Sequence, residues 1–259
     1  MKSLWRKFAC VCLALVLAGC AALPDASRSA DIATSPWALQ STRPGVDPLA
    51  PSTPRWTHLA FPGKSPTQFN YARTDGRDAV AVLASSSVSM LRKNVRIEPS
   101  ELSSVRFSWK VPHLIAGADL ALRDADDSPV RIVLTFEGDR SRFSARDSML
   151  AELVRTITGE EMPYATLMYV WCNKREPGSV IASPRTDRIR RLVVQSGERQ
   201  LNQWLDYERN IRADFERAFG EAPGALVGIG IMTDSDNTRS TAQAWYGPVR
   251  LGRPIASSQ

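Results

Sequence analysis

Two acidic stretches carry the side chains whose chemistry is most readily interpreted. In the first, Thr233–Thr238, the residues Asp234, Asp236 and Asn237 come directly after an apolar run. Oxygen ligands at alternate positions suit a hard cation, so Asp234 and Asp236 are candidate calcium ligands. An EF-hand is excluded, because the sixth loop position is not glycine and Trp245 stands where that loop needs glutamate. A polar hairpin turn explains the segment equally well, since Asp and Asn bond to their own backbone.

The second acidic stretch contains Asp119, Asp124, Asp126 and Asp127 and leads towards Arg131. Neighbouring carboxylates repel one another unless a cation holds them, so we expect an ion-pair network with Arg131. Such carboxylates could bind calcium, hold sugar hydroxyls or serve as the acid and base of a glycosidase. A solvated turn is favoured for most of them, and least for Asp127, which adjoins a predicted strand.

Aromatic side chains offer a second kind of chemistry, because exposed rings can stack on sugars. Trp109 follows the apolar face of its strand and is expected in the core, whereas Trp245 and Tyr246 must point to opposite faces. Trp171 fits either environment. The candidate ligand-binding residues are therefore Asp127, Arg131, Trp171, Asp234, Asp236, Asn237 and Trp245.

A basic stretch contains Arg185, Arg188, Arg190 and Arg191. These side chains could contact anionic lipid or lipopolysaccharide phosphate, but a solvated strand face is favoured, because acidic residues elsewhere nearly balance them.

Familiar catalytic signatures are missing from the sequence. It contains no G-x-S-x-G elbow, no Walker A loop and no H-E-x-x-H pair. Gly228-Ile229-Gly230 lies inside a predicted strand without a third glycine, so it favours close packing under a neighbouring side chain over dinucleotide binding. An enzyme is therefore the less favoured hypothesis.

Alternating apolar residues predict the elements that must position these groups. Val105, Phe107, Trp109 and Val111 share one face of a strand, and Val130–Phe136 repeats the pattern. About ten such strands indicate a β-sandwich or barrel. The other strand candidates are Trp56–Phe61, Gln68–Arg73, Ala79–Ala84, Val88–Val95, Thr166–Cys172, Ile189–Gln195, Leu226–Met232 and Ala242–Leu251.

Two segments have helical periodicity and are predicted as helices inserted between strands. Ser144–Thr158 ends at Gly159, and Leu205–Phe219 ends at Gly220, with Asp206 as a possible N-cap of the second helix.

The N-terminus has the order of a bacterial lipoprotein export signal. Basic residues precede a short apolar run, and Leu17-Ala18-Gly19-Cys20 resembles a lipobox. We expect residues 1–19 to be removed and Cys20 to be acylated. Ala21 follows where aspartate would signal inner-membrane retention, which favours anchoring in the outer membrane, facing the periplasm.

Composition predicts the domain boundaries and limits the possible partners and cross-links. Residues 20–54 are rich in Pro and Ser and are predicted as a lipidated, disordered tether, followed by a sandwich domain over 55–253 and a tail over 254–259. Loss of the signal leaves 30 basic residues of 33 against 27 acidic ones, so nucleic acid is not an expected partner. Only Cys172 remains as a thiol, so we expect no intrachain disulfide.

Five groups of motifs are spread over most of Trp56–Leu251: Ser108–Pro112, Gly117–Asp119 with Asp126, Asp127 and Arg131, Tyr169–Trp171, Asp214-Phe215 with Ala218–Gly220, and Met232–Thr238. In these motifs the sequence resembles a bacterial family named domain of unknown function 3047. The resemblance implies a jelly-roll sandwich similar to galactose-binding-like and carbohydrate-binding modules, without an established activity or catalytic residues. It also implies recurring polar positions at Asp127, Arg131, Asp234, Asp236 and Asn237.

The leading hypothesis is a mainly β, jelly-roll sandwich with two inserted helices that acts as a non-enzymatic binding module for a glycan or another envelope component. Calcium is the one candidate cofactor, and the lipid bilayer is a partner through Cys20. The first alternative is a polysaccharide hydrolase that uses Asp127 with Asp234 or Asp236 as its carboxylate pair. The second is a structural scaffold lipoprotein of the envelope.

Overall fold

Strands dominate the molecule and form two sheets packed face to face. The computed structural model describes residues 32–252. Its helices are α1 (Pro36–Gln40), α2 (Ala145–Thr158) and α3 (Ile211–Phe219). Its strands are β1 (Thr57–Ala60), β2 (Gln68–Thr74), β3 (Arg77–Ser85), β4 (Val88–Ile97), β5 (Ser104–Lys110), β6 (Ser128–Phe136), β7 (Ala165–Cys172), β8 (Val180–Ala182), β9 (Ile189–Ser196), β10 (Leu205–Asn210), β11 (Leu226–Asp234), β12 (Thr241–Tyr246) and β13 (Arg250–Leu251).

The strand order defines a larger and a smaller sheet. The larger, seven-stranded sheet has the order β1-β4-β11-β6-β7-β9-β8. The smaller, six-stranded sheet has the order β10-β5-β12-β3-β2, with β13 paired to β5. Among the described strands β7 and β9 pair in parallel, and the other pairs are antiparallel. The fold is thus mainly β, a jelly-roll sandwich with helices α2 and α3 inserted between strands, as the sequence predicted.

The sandwich interior holds the apolar face of each strand. Phe107 and Trp109 of β5 are buried against this core, while Arg106 on the same strand points to solvent. Tyr246 of β12 is also fully buried, so Trp245 next to it faces outwards. Alternation along a strand therefore decides which side chains are available on the outer faces.

One helix begins later than predicted. Leu205–Asn210 is strand β10, which pairs with β5, and helix α3 starts at Ile211 with Asn210 as its N-cap. The predicted start at Leu205 and the N-cap at Asp206 were wrong, because cross-strand pairing with β5 outweighs the helical spacing of Tyr207 and Ile211. Helix α2 agrees with the prediction, with Ser144 as N-cap and Gly159 in the left-handed conformation after its end.

Part of the segment predicted as a disordered tether belongs to the folded body. Trp37 on α1 is 0% exposed, and its ring centroid lies 4.8 Å from that of Trp56. The Ser41 hydroxyl accepts a hydrogen bond from the Val249 backbone N–H at 3.1 Å. Burial of Trp37 against Trp56 offsets the ordering entropy that composition alone suggested would prevail, so residues 32–41 differ from the prediction.

Residues 1–31 and 253–259 lie outside the described part of the chain, so the predicted signal, Cys20 and the tail over 254–259 do too. Within residues 32–252, helices fall short of the length and apolarity required to cross a bilayer.

Candidate functional site

The two acidic stretches of the sequence meet at one end of the larger sheet. Strand β11 ends at Asp234, and β6 begins at its register partner Ser128. Because the two strands are antiparallel neighbours, the loop after one lies beside the loop before the other. Asp127, Asp234 and Asp236 consequently place carboxylate oxygens within 4.8 Å of one another.

Arg131 is buried next to this cluster and pairs with its carboxylates. Its side chain is 2% exposed, and its guanidinium donates to Asp234 at 3.0 Å from Nε and 2.8 Å from Nη2. Nη2 also donates to the Asp126 carboxylate at 3.2 Å. Arg191 on β9 donates to the other oxygen of Asp126. Two buried guanidiniums therefore share two buried carboxylates, which is the ion-pair network that the sequence indicated around Arg131.

Asp127 binds the loop that follows β11. Its carboxylate accepts hydrogen bonds from the backbone N–H groups of Asn237 at 3.2 Å and Thr238 at 2.7 Å, and from the Thr238 hydroxyl at 2.6 Å. Asn237 donates from its side chain to the Arg123 carbonyl at 3.0 Å. These bonds fasten the loop after β11 to the loop before β6. The residues are brought together as expected, and Asp127 and Asn237 hold the loops in place.

Burial controls the titration of Asp234. Loss of solvent raises the pKa of Asp234 to about 6, although the Arg131 charge and its hydrogen bonds oppose the rise. The pKa of Arg131 is itself raised by the two carboxylates, despite its burial. Asp234 is therefore ionised and paired with Arg131 at neutral pH, and it takes up a proton at a higher pH than a surface aspartate would.

A pH dependence of stability follows from Asp234. Its pKa is higher in the folded protein, at about 6, than the usual 3.8. Protonation of Asp234 therefore stabilises the folded protein at low pH. We expect the contribution of Asp234 to the free energy of unfolding to be lost as pH rises from 3.8 to about 6. Urea denaturation of the wild type and of Asp234→Asn across this range measures it. An identical pH dependence in the two proteins would contradict the assignment.

Calcium fits this cluster poorly. Asp127 and Asp234 already accept hydrogen bonds on both oxygens, and Lys64 pairs with Asp236 at 2.5 Å. Calcium takes six to eight oxygen ligands, whereas cationic Arg131 and Lys64 already compensate these carboxylates. A hydrolytic pair fits poorly for the same reason, since general acid–base chemistry needs a carboxylate that can reach the substrate.

Trp171 lies away from any exposed surface. Its side chain is 1% exposed, and its indole N–H donates to the Gly197 carbonyl at 3.0 Å. The inward face of β7 places it in the core, so the prediction of Trp171 as a ligand-binding residue is not supported. The prediction treated both faces of β7 as possible, and packing between the two sheets decides the matter.

Trp245 lies on the outer face of the smaller sheet, apart from the acidic cluster. Lys110 sits 5.9 Å from its ring centroid. The same lysine donates to Asp75 at 2.8 Å, and Asp75 accepts the indole N–H of Trp204 at 3.0 Å. Trp204 in turn carries Arg77 over its ring at 5.3 Å. The two half-buried tryptophans are thus held by polar partners in fixed orientations.

A groove of about 560 Å³ lies on the smaller sheet, and we call it the tryptophan groove because its lining residue Arg77 lies over the Trp204 ring; Trp204 and Trp245 themselves lie outside its lining. Its charged groups are matched: Arg77 pairs with Asp206 at 2.8 Å and Arg106 with Glu208 at 3.0 Å. The groove consequently offers many donors and acceptors with little net charge. Its lining is Gln40, Gly76, Arg77, Asp78, Arg106, Phe107, Ser108, Asp206, Tyr207, Glu208, Pro248 and Arg250.

Sequence reasoning missed several residues of these sites. Arg191 was assigned to a solvated basic face, yet it is 3% exposed and bound to Asp126. Its position in β9 next to apolar Leu192 and Val193 was the available signal of burial. Nothing in the sequence marked Asp75 or Arg77, because the turn between β2 and β3 meets Trp204 only through the tertiary fold.

Comparison with known proteins gives a family and distant structural likenesses. No curated protein matches the chain at a significant level. The xyloglucanase domain of NopAA, a type three effector from Sinorhizobium fredii, solved with cellobiose, has 10% sequence identity and a TM-score of 0.38, with coverage of 79% of this chain and 95% of that chain. A mutant of ENZbleach xylanase has 10% identity and a TM-score of 0.39, with coverage of 84% and 88%. At this similarity the named activities belong to those proteins alone.

The family assignment rests on the sequence match. The family model described as protein of unknown function (DUF3047) matches residues 54–250. That span contains strands β1 to β12, the acidic cluster, Trp204 and Trp245, and the chain belongs to the DUF3047 family.

Proposed function

We propose that this protein is a non-enzymatic binding module that recognises an uncharged glycan of the cell envelope in the tryptophan groove. The observation that carries the proposal is a charge-balanced polar groove on the sheet that also carries outward-facing Trp245, with Arg77 both lining the groove and lying over the Trp204 ring. Sugar rings present C–H faces that pack on aromatic side chains and hydroxyls that need several donors and acceptors. A hydroxyl-rich, uncharged ligand meets both requirements.

The cellular setting is part of the same proposal. A basic start, a short apolar run and Cys20 in a lipobox-like context support export and acylation, with the domain held at the outer membrane and facing the periplasm. Two or more acyl chains would anchor it stably, since a single chain binds a bilayer only marginally.

The hydrolase alternative has less support, because the carboxylates of Asp127 and Asp234 are engaged by structural donors. The scaffold alternative has one supporting observation. Met149, Leu153 and Ile157 form an exposed apolar stripe on α2, with exposures of 72%, 53% and 59%. A protein partner of that stripe would favour it.

Glycan binding is tested by titrating chitotetraose, maltoheptaose and purified envelope polysaccharide into the protein. Quenching of tryptophan fluorescence and calorimetry measure binding. We expect at least one of these glycans to bind, and Trp204→Ala or Trp245→Ala to weaken it about tenfold, which corresponds to roughly 1.4 kcal/mol. Loss of a stacking surface is the physical reason.

Phe61→Ala serves as the control, because it removes an aromatic ring just after β1 that lines a different groove and is absent from the lining of the tryptophan groove. It should leave glycan affinity unchanged, and removing calcium with a chelator should too. The proposal fails if none of the glycans binds, or if both tryptophan variants bind as tightly as the wild type.

A further inference from the structure

A second groove crosses the outer face of the larger sheet. It has a volume of about 540 Å³, and its lining comes from β1, β4, β11, β6, β7 and β9, from helix α2 and from the loops beside them. Six strands at the usual spacing make it about 24 Å long. We call it the methionine groove, because its apolar lining includes Met90, Met162, Met168 and Met232, together with Leu59, Phe61, Val133, Val154 and Ile189.

The floor of the methionine groove is shaped by two glycines of β11. A Cβ at Gly230 would lie 2.6 Å from Met90 Sδ, and a Cβ at Gly228 would lie 2.6 Å from Thr135 Oγ1. Any larger residue would push these groups outwards. Methionine side chains adapt their shape to an apolar ligand. The floor is therefore narrow, apolar and adjustable, and Phe61 is the one aromatic residue in its lining.

One end of the methionine groove is basic and incompletely paired. Lys64, Arg131, Arg185 and Arg191 line it together with Asp126, Asp234 and Asp236, so four cationic side chains face three carboxylates. Arg185 makes no ion pair within the described residues, and the one hydrogen bond of its guanidinium there is a 3.4 Å contact with the Arg123 carbonyl.

Arg191, at the same end, has an N–H group without a hydrogen-bond acceptor in the described part of the chain. Its Nε is buried and has no hydrogen-bond partner among the described residues, although its side chain is only 4% exposed. Burial and the neighbouring Arg131 lower the pKa of Arg191 to about 10. An additional anionic acceptor would satisfy the N–H group and relieve the repulsion between the two guanidiniums.

We propose that the methionine groove binds a long-chain carboxylate, with its acyl chain along the methionines and its carboxylate beside Arg185 and Arg191. A carboxylate carries one negative charge, which matches the single excess guanidinium, and its two oxygens suit the planar guanidinium fork. A phosphate monoester would carry more charge than the groove can compensate. This ligand and this sheet face are separate from those of the proposed glycan site.

Calorimetric titration of the purified protein with palmitate, octanoate, hexadecanol and acetate tests the proposal, each below its aggregation threshold. Every methylene that enters the groove adds to the affinity, so palmitate should bind at least about tenfold more tightly than octanoate. Hexadecanol, which lacks the charge, should bind about tenfold more weakly than palmitate. Acetate should show no binding.

Two variants localise the site. Met232→Glu places a negative charge in the groove and should reduce palmitate affinity at least about tenfold, while Met149→Glu makes the same change at a methionine outside the groove that is 72% exposed. Arg185→Ala should weaken palmitate about tenfold without unfolding the protein, because Arg185 is exposed. Arg199→Ala is its matched control, at an exposed arginine outside the groove lining.

The proposal is overturned if palmitate does not bind, if hexadecanol equals palmitate, or if Arg185→Ala leaves palmitate affinity unchanged. Trp245→Ala should retain palmitate binding, since Trp245 lies on the other sheet. Palmitate binding without glycan binding would support this proposal and contradict the glycan proposal alone.

Discussion

Replacing Arg131 with methionine is expected to lower the free energy of unfolding by about 3–5 kcal/mol at neutral pH. The substitution removes the cation that compensates Asp234 and Asp126, both of which are less than 10% exposed. An unpaired carboxylate in the interior costs far more than the pair contributes when it is intact. Urea denaturation, followed by circular dichroism, measures the effect.

The size of this effect should depend on pH and on the partner. Lowering the pH towards 4 should reduce the destabilisation, because Asp234 can then be neutralised by a proton. Adding Asp234→Leu to Arg131→Met should restore part of the stability, since one buried charge disappears. Arg106→Met removes a surface pair whose arginine is 67% exposed and should change stability by less than about 1 kcal/mol.

Equal effects of Arg131→Met and Arg106→Met would show that the buried network does not hold the two loops. A destabilisation that is the same at pH 4 and pH 7 would contradict the view that Asp234 is the group left uncompensated.

Replacing Trp37 with alanine is expected to cost about 3–5 kcal/mol of folding free energy. Trp37 is fully buried, and its ring packs on Trp56 and on the core between the sheets. The cavity left by an indole cannot close completely, because helix α1 is also held through Ser41. Thermal and urea denaturation of the variant test the claim.

Trp204→Ala is the matched control, since it removes the same side chain from a partly exposed position. It should destabilise the protein by much less than Trp37→Ala. A cost below about 1 kcal/mol for Trp37→Ala would mean that residues 32–54 behave as the tether that their composition suggests, and that α1 contributes little to the fold.

Local alternation made the strands predictable. Val105, Phe107 and Trp109 were placed on the core face of β5, and they are buried there. The same rule failed at Leu205–Asn210, where spacing compatible with a helix was overridden by pairing with β5. Short segments carry both periods at once, so their state depends on whether a neighbouring strand is available.

The candidate site could be predicted only in part. The motif that contains Asp234, Asp236 and Asn237 and the approach to Arg131 were recognised as polar positions, and they do meet. The sequence did not reveal that Asn237, Thr238 and Arg131 already donate hydrogen bonds to the carboxylates of this site. Those bonds depend on the register between β6 and β11. The proposed calcium ligands thus became part of the supporting structure.

The sequence by itself determined the alternating pattern of the strands, the capped helix α2 and the absence of familiar catalytic motifs. Tertiary structure alone decided that Trp171 is buried, that Trp204 and Trp245 are linked through Asp75 and Lys110, and that Arg191 shares Asp126 with Arg131. The physical reason is that the alternation of apolar and polar side chains can be read from residues that follow one another in a single strand. Burial, pairing and groove formation depend on which strands lie next to one another, and those partners are distant in sequence.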